Sequence, residues 1–260
     1  MKRSIVVVLL LIASGLSQEL FSQSKKRSFF EIRVYHFQTS DQESAIDDYL
    51  KNAYLPALNN EGIRNIGVFK PISNDTARNK RIIMLIPFKN ANKFTEVLEE
   101  LDNSMKAKGA GQRYWHASHD KAPYKRIEST LVKAFASMPN LAVPLLKNEA
   151  AKRVYELRSY EGPTEMFYNK KVHMFDVAGE TNLFKKLGFN PVFFGTVLAG
   201  SRKPNLMYMT SFEDMAARDA HWKTFVDDPE WKKMSSNPYY NHTVSHQDIV
   251  LLHPTSYSGI

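Results

Sequence analysis

The sequence repeats itself, and the repeat restricts the fold more than any other feature. Residues 29–35 read Phe-Phe-Glu-Ile-Arg-Val-Tyr and residues 154–160 read Val-Tyr-Glu-Leu-Arg-Ser-Tyr, so Glu-apolar-Arg-x-Tyr occurs twice in the same register. The same offset carries Asn65-Ile66-Gly67-Val68-Phe69 onto Asn190-Pro191-Val192-Phe193-Phe194. An offset one residue shorter carries the run ending Pro87-Phe88 onto the run ending Ser211-Phe212. A near-constant spacing over three segments means that one supersecondary plan is used twice.

Periodicity shows what the plan is. Residues 29–37 alternate and carry β-branched and aromatic types, which predicts a strand. Residues 41–59 have helical spacing in Ile46, Tyr49, Leu50 and Leu58, with Gly62 as the stop. Strands over 64–72 and 80–88, a helix over 90–107 and a strand over 127–135 complete a β-α-β-β-α-β order. The second copy has strand 152–160, helix 163–187 with Gly188 as its stop, strands 190–198 and 205–212, helix 213–226, a short helix through Trp231, and strand 244–252. Domains are therefore expected at 28–135 and 151–254, with 136–150 as a linker and 108–125 as an insertion in the first copy. The fold class is α+β, two tandem ferredoxin-like units. Each unit has helices on one sheet face and needs its other face covered, so the sheets are expected to pack on each other as a barrel.

The N-terminus reads as a signal peptide over 1–22. Lys2 and Arg3 precede an apolar run from Ile5 to Ile12, and small residues follow up to Ser22. The run is shorter than the roughly 20 residues that span a bilayer. Export to a secreted or periplasmic location is expected, with a soluble mature chain that has no transmembrane segment; an uncleaved anchor is the competing reading. The chain has no cysteine, which excludes disulfides, thiol nucleophiles and thiolate metal sites. The net charge of +8 is spread among acidic residues, with one tight run at Lys25-Lys26-Arg27. With no clustered basic groove, and with the export pattern, no nucleic-acid partner is expected.

The second copy carries more than the repeat. Tyr155-Glu156-Leu157-Arg158-x-Tyr160 opens it, and Lys186-Leu187-Gly188-Phe189 ends its first helix. Pro204-Asn205-Leu206 precedes Tyr208, and Phe212-Glu213-x-Met215-Ala216-Ala217-Arg218-Asp219, His221-Trp222 and Asp228-Pro229-Glu230-Trp231 follow. In this order the segments resemble the NIPSNAP domain over about residues 153–253. Residues 28–135 resemble it weakly, keeping the opening but lacking the arginine–tryptophan helix and the Asp-Pro-Glu-Trp turn. The resemblance implies a dimeric α+β barrel, related in shape to small cofactor-free monooxygenases. It supplies no agreed catalytic residues.

Three places hold candidate chemistry. On strand 154–160, Glu156, Arg158 and Tyr160 share one face, as Glu31, Arg33 and Tyr35 do in the first copy. These triplets either line a cavity or form buried ion pairs that fix register between the sheets. On helix 163–187, Met166, His173, Val177, Glu180, Phe184 and Leu187 fall along one stripe, so His173 is a candidate general base unless it is a satisfied core histidine. On helix 213–226, Arg218 and Trp222 lie on one face with His221 beside them, suited to an anion or to a salt bridge such as Arg218–Asp214. Tyr208 belongs to the same candidate ligand set. Metal signals are weak: His116, His119 and Asp120 form a patch in the insertion, and no zinc, EF-hand or phosphate-loop pattern occurs. No metal and no cofactor are expected.

Two functions follow. One is a module that binds a small ligand or a protein partner, as a monomer or homo-oligomer. The other is a cofactor-independent monooxygenase-like or isomerase-like enzyme, with His173 as base and Arg158 or Arg218 stabilising an oxyanion.

Overall fold

The computed structural model describes residues 26–106 and 111–260; the signal peptide read over 1–22 lies outside them. The first unit runs β1 (Phe29–Phe37), α1 (Ser40–Tyr49), a π-helical turn (Leu50–Tyr54), α2 (Leu55–Asn60), β2 (Gly67–Pro71), β3 (Lys80–Phe88), α3 (Ala91–Lys106), α4 (Gln112–Trp115) and β4 (Arg126–Ala134). The second runs β5 (Val154–Glu161), α5 (Glu165–Asp176), α6 (Glu180–Lys186), β6 (Phe193–Ala199), β7 (Asn205–Phe212), α7 (Met215–Asp227), α8 (Pro229–Ser235) and β8 (His246–Pro254). Both are ferredoxin-like, as the repeat predicts.

Local sequence explains the boundaries. Thr39 and Gln42 form a capping box on α1, each side chain accepting from the other's backbone amide. Thr164 caps α5 and Asp214 caps α7. In Asp228-Pro229-Glu230-Trp231 the aspartate caps α8, the proline takes the first helical turn and the glutamate meets the positive end of the dipole. Asn65 and Asn190, which match in the repeat, both adopt left-handed backbone, with φ of 56° and 42°. Asparagine tolerates this region better than most residues, so the repeat extends to the backbone angle that leads into β2 and β6.

The strands close into one barrel in the order β1-β3-β2-β8-β5-β7-β6-β4. Each unit contributes four antiparallel strands, and the units join where β2 pairs with β8 and β4 pairs with β6. Closure leaves these strands without an unpaired edge. The chain also laces the halves together: Gly259 donates to the Ile66 carbonyl at 2.8 Å, and the Asp176 carboxylate accepts from the Ala136 and Ser137 amides.

Strand alternation sorts the core into three layers. Phe30, Ile32, Ile83, Leu85, Tyr155, Leu157, Phe193 and Met209 point into the barrel. The opposite strand faces carry Tyr35, Ile82 and Met84 against the helices of the first unit, and Tyr160, Phe194 and Tyr208 against those of the second. Aromatic rings fill one end of the barrel, with Phe30 and Phe193 at 5.1 Å and Phe69 and Tyr155 at 4.8 Å. Towards the other end a cavity of about 120 Å³ remains. No helix among the described residues is long and apolar enough to cross a membrane.

Candidate functional site

The Glu-x-Arg-x-Tyr triplets do not face the barrel interior or the seam between the sheets. They face the helices, and the two copies differ there. In the second unit Glu156 is fully buried and both its oxygens are taken. Oε1 accepts from Arg158 Nε at 2.6 Å and from an Arg218 terminal nitrogen at 3.1 Å. Oε2 accepts from Arg218 Nε at 2.8 Å and Trp222 Nε1 at 2.9 Å. Arg158 stacks on Trp222, 3.8 Å from its ring centroid, and donates to Tyr160, whose hydroxyl meets that of Tyr208 at 2.9 Å. Burial alone would raise the Glu156 carboxyl, but Arg218, Arg158 and Trp222 together hold it below the ordinary carboxylate range. The ion pair therefore pins helix α7 to the sheet, rather than one sheet to the other. Arg218 pairs with Glu156 and Asp219, not with Asp214, which is occupied as the α7 cap.

The other candidates of this unit are also structural in placement. Glu180 is buried and paired with Lys171 at 3.1 Å; burial raises its pKa against the pull of that lysine. His221 makes a hydrogen bond with the Ala217 carbonyl and packs its ring on Phe189 and Phe212. His173 is exposed on the outer face of α5, where its ring meets Tyr239 and Tyr240. The predicted stripe fails because Gly179, at φ 102°, breaks the long helix into α5 and α6. Met166 and Val177 are exposed, and Tyr168, Lys171 and Phe175 face the sheet instead. The network packs against the surrounding rings of Phe175, Phe184, Phe189, Phe194 and Phe225.

In the first unit the same position carries a smaller network. Glu31 Oε1 accepts from Arg33 Nε at 2.9 Å and Ser129 Oγ at 2.7 Å, while its buried Oε2 has no partner. The repeat places Phe94 and Leu98 of α3 where the second unit has Arg218 and Trp222. Beside Arg33, a cavity of about 390 Å³ is lined by Arg33, Tyr35, Tyr49, Tyr114, Trp115 and Tyr124. Two local departures from the second unit build it. The π-helical turn ends on Tyr54, which sits under the Arg33 guanidinium at 5.1 Å; such turns occur often at functional sites. The insertion folds back over α1, so that Tyr114 stacks on Tyr49 with ring centroids 3.9 Å apart. Gly111, at φ 90°, makes this approach possible: a Cβ there would lie 2.9 Å from that of Ala53.

The electrostatics of this cavity are simple. Burial works against the Arg33 charge, but its neighbours Tyr54, Tyr35 and Glu31 raise its pKa above the ordinary arginine value, so it is a fixed cation. Burial raises the hydroxyls of Tyr35, Tyr49, Tyr54 and Tyr114, so each is a neutral donor. Arg33 and Tyr35 were visible in the repeat. Tyr49 reads only as part of a helical stripe, and Tyr54, Tyr114 and Tyr124 belong to no motif, although these four tyrosines crowd the first copy.

Histidines 116 and 119 and Asp120 are all exposed and do not gather donor atoms. Among the described residues, Glu161, His246 and Asp248 bring possible ligand atoms within 4.8 Å of one another. The Arg202 guanidinium already bridges the two carboxylates.

The fold is that of the dimeric α+β barrels, here closed within one chain. A monooxygenase candidate from Lactobacillus acidophilus superposes with a TM-score of 0.54 at 14% identity, over 88% of this chain and 94% of its own. One from Fusobacterium nucleatum gives 0.54 at 8% identity, over 88% and 93%. Residues 155–259, which make up most of the second unit, match the family model for NIPSNAP. A NIPSNAP family protein from Agrobacterium tumefaciens is similar at 16% identity, covering 41% of this chain and 96% of its own, with a TM-score of 0.36. No curated protein matches the chain.

Proposed function

We propose that this protein binds a small planar aromatic ligand bearing an acidic oxygen, a phenolate or carboxylate, in the helix–sheet cavity of the first unit. One observation carries the reading: a half-buried, permanently charged Arg33 stands in a tyrosine-walled cavity of about 390 Å³, whereas its counterpart Arg158 is stacked on Trp222 and paired with Glu156. The volume falls within the range of small-molecule sites. Arg33 offers a charge-assisted hydrogen bond to the oxyanion, the neutral tyrosines offer further donors, and their ring faces suit a flat apolar body.

A second reading keeps the site and adds chemistry. A cation beside neutral hydroxyl donors stabilises an enolate or phenolate, and such an anion can be oxidised by dioxygen, which takes up its electrons, or be reprotonated at another carbon in an isomerisation. The kinship of fold with the two monooxygenase candidates supports this reading. Under either reading the mature chain is exported, which N-terminal sequencing of the protein from its native compartment checks. The barrel needs no second copy for closure, so a monomer in sedimentation is compatible with both readings.

The test is calorimetric titration with 1-hydroxy-2-naphthoate as probe. Arg33→Met is expected to weaken binding by about tenfold to a hundredfold, the worth of a hydrogen bond to a charged group. Equal affinity in wild type and variant would remove Arg33, and with it this reading. Oxygen consumption on adding the probe separates the second reading from simple binding.

A further inference from the structure

The open end of the barrel holds a second cavity, separate from the first-unit site and on the opposite face of the sheets. Its floor is apolar, formed by Ile32, Ile83, Leu157, Val197, Met207 and Val250. Its volume of about 120 Å³ equals the liquid share of about four water molecules, enough for a molecule of a few heavy atoms.

Two polar groups of the lining, Arg81 and Asn205, bear on what the cavity can hold. Arg202 is committed to Asp248 and lies 3.7 Å from Glu161. Asp248 also meets His246, at 3.2 Å. Glu128 is held by Arg126 at 2.7 Å and meets His36 at 3.2 Å. Arg81 is the exception. Asn74 clamps its backbone at both the amide and the carbonyl, yet its guanidinium has no carboxylate within ion-pair distance among the described residues. Burial, against the attraction of Glu128 and with the repulsion of Arg202, lowers its pKa, as expected of a cation short of an anion.

The second group is Asn205. It is 3% exposed and lines the cavity. Its Nδ2 donates to Ser159 Oγ at 2.8 Å, but its buried Oδ1 accepts nothing. A buried acceptor without a donor is costly, so the position favours an occupant that brings an N–H or O–H.

We propose that the open end of the barrel is a ligand site for a short-chain hydroxycarboxylate. The carboxylate pairs with Arg81, the hydroxyl donates to Asn205 Oδ1, and the short aliphatic part rests on the apolar floor. The site does not depend on the first-unit cavity.

Titration calorimetry on the full chain with lactate tests it. One saturable site is expected, about fivefold tighter than for propionate, which lacks the hydroxyl. Arg81→Met weakens it by about tenfold or more, and Arg81→Lys recovers part of the loss. Val197→Phe, which places a ring in the cavity, abolishes it. Arg33→Met leaves it unchanged. Circular dichroism and urea midpoints establish that each variant is folded; should Arg81→Met fail to fold, Arg81→Lys and Val197→Phe decide. No saturable heat up to about 10 mM ligand overturns the proposal. So does wild-type affinity in folded Arg81 and Val197 variants. Loss of binding in Arg33→Met overturns it as well, by moving the ligand to the first-unit cavity.

Discussion

Neutralising the two equivalent glutamates gives a direct comparison of the two copies. In Glu156→Gln the amide keeps one acceptor, but its new N–H2 must face a donor from Arg218, Arg158 or Trp222, because donors meet both oxygens. The substitution strands two arginines around a buried site. Removing one partner of a buried pair costs about 3–5 kcal/mol, and the lower end applies because Arg218 keeps Asp219 and some water. In Glu31→Gln the amide oxygen retains the Arg33 and Ser129 bonds, and the new N–H2 takes the place of Oε2, where no donor stands. That substitution is expected to cost about 1 kcal/mol, the net worth of one ordinary hydrogen bond. The gap is therefore about 2 kcal/mol, or about 4–8 °C in Tm for a chain of this size. Urea unfolding followed by near-ultraviolet circular dichroism measures it. Equal losses at the two positions, or a larger loss at Glu31, would refute the view that one copy is a locked scaffold and the other a working site.

Other outcomes follow from the same geometry. Glu156 is depressed below its ordinary 4.5 in the folded state, so its stabilising contribution is present above that value and lost as pH falls through the folded value. The stability gap between wild type and Glu156→Gln should accordingly shrink in acid, and a gap that widens there contradicts the assignment. Phe184→Ala removes a ring whose centroid lies 4.8 Å from both Phe189 and Phe225, and should cost about 3–5 kcal/mol in chemical denaturation. Asn190→Ala should cost about 1 kcal/mol through its left-handed backbone, while Asn190→Gly should be near neutral. A cost at glycine equal to that at alanine would show that the side chain, not the backbone, matters.

Much of the architecture is legible in the sequence because strands have a period of two and helices need an apolar face. The Glu-x-Arg-x-Tyr repeat announces two copies, and two half-covered sheets have few ways to bury themselves. The site is less legible. Helix 163–187 reads as one stripe through His173, yet a stripe displaced around the helix, through Tyr168, Lys171 and Phe175, fits the spacing as well. Only the turn at Gly179 and the sheet beneath decide between them. The conspicuous Arg218 and Trp222 attract attention as a binding pair, but they are the residues that seal the second copy. In the first copy the space beside Arg33 is walled by residues far along the chain, Tyr114 and Tyr124, that return to it. Neither periodicity nor motif shows such a return.

Closure of the barrel within a single chain has an evolutionary consequence. In a symmetric assembly of two identical chains, every substitution appears twice, and a change that opens one site weakens both halves of the molecule. Here each half can vary alone. One half can accumulate the irregularities that recognition demands, while its sibling absorbs the mechanical burden of keeping the shared wall in register.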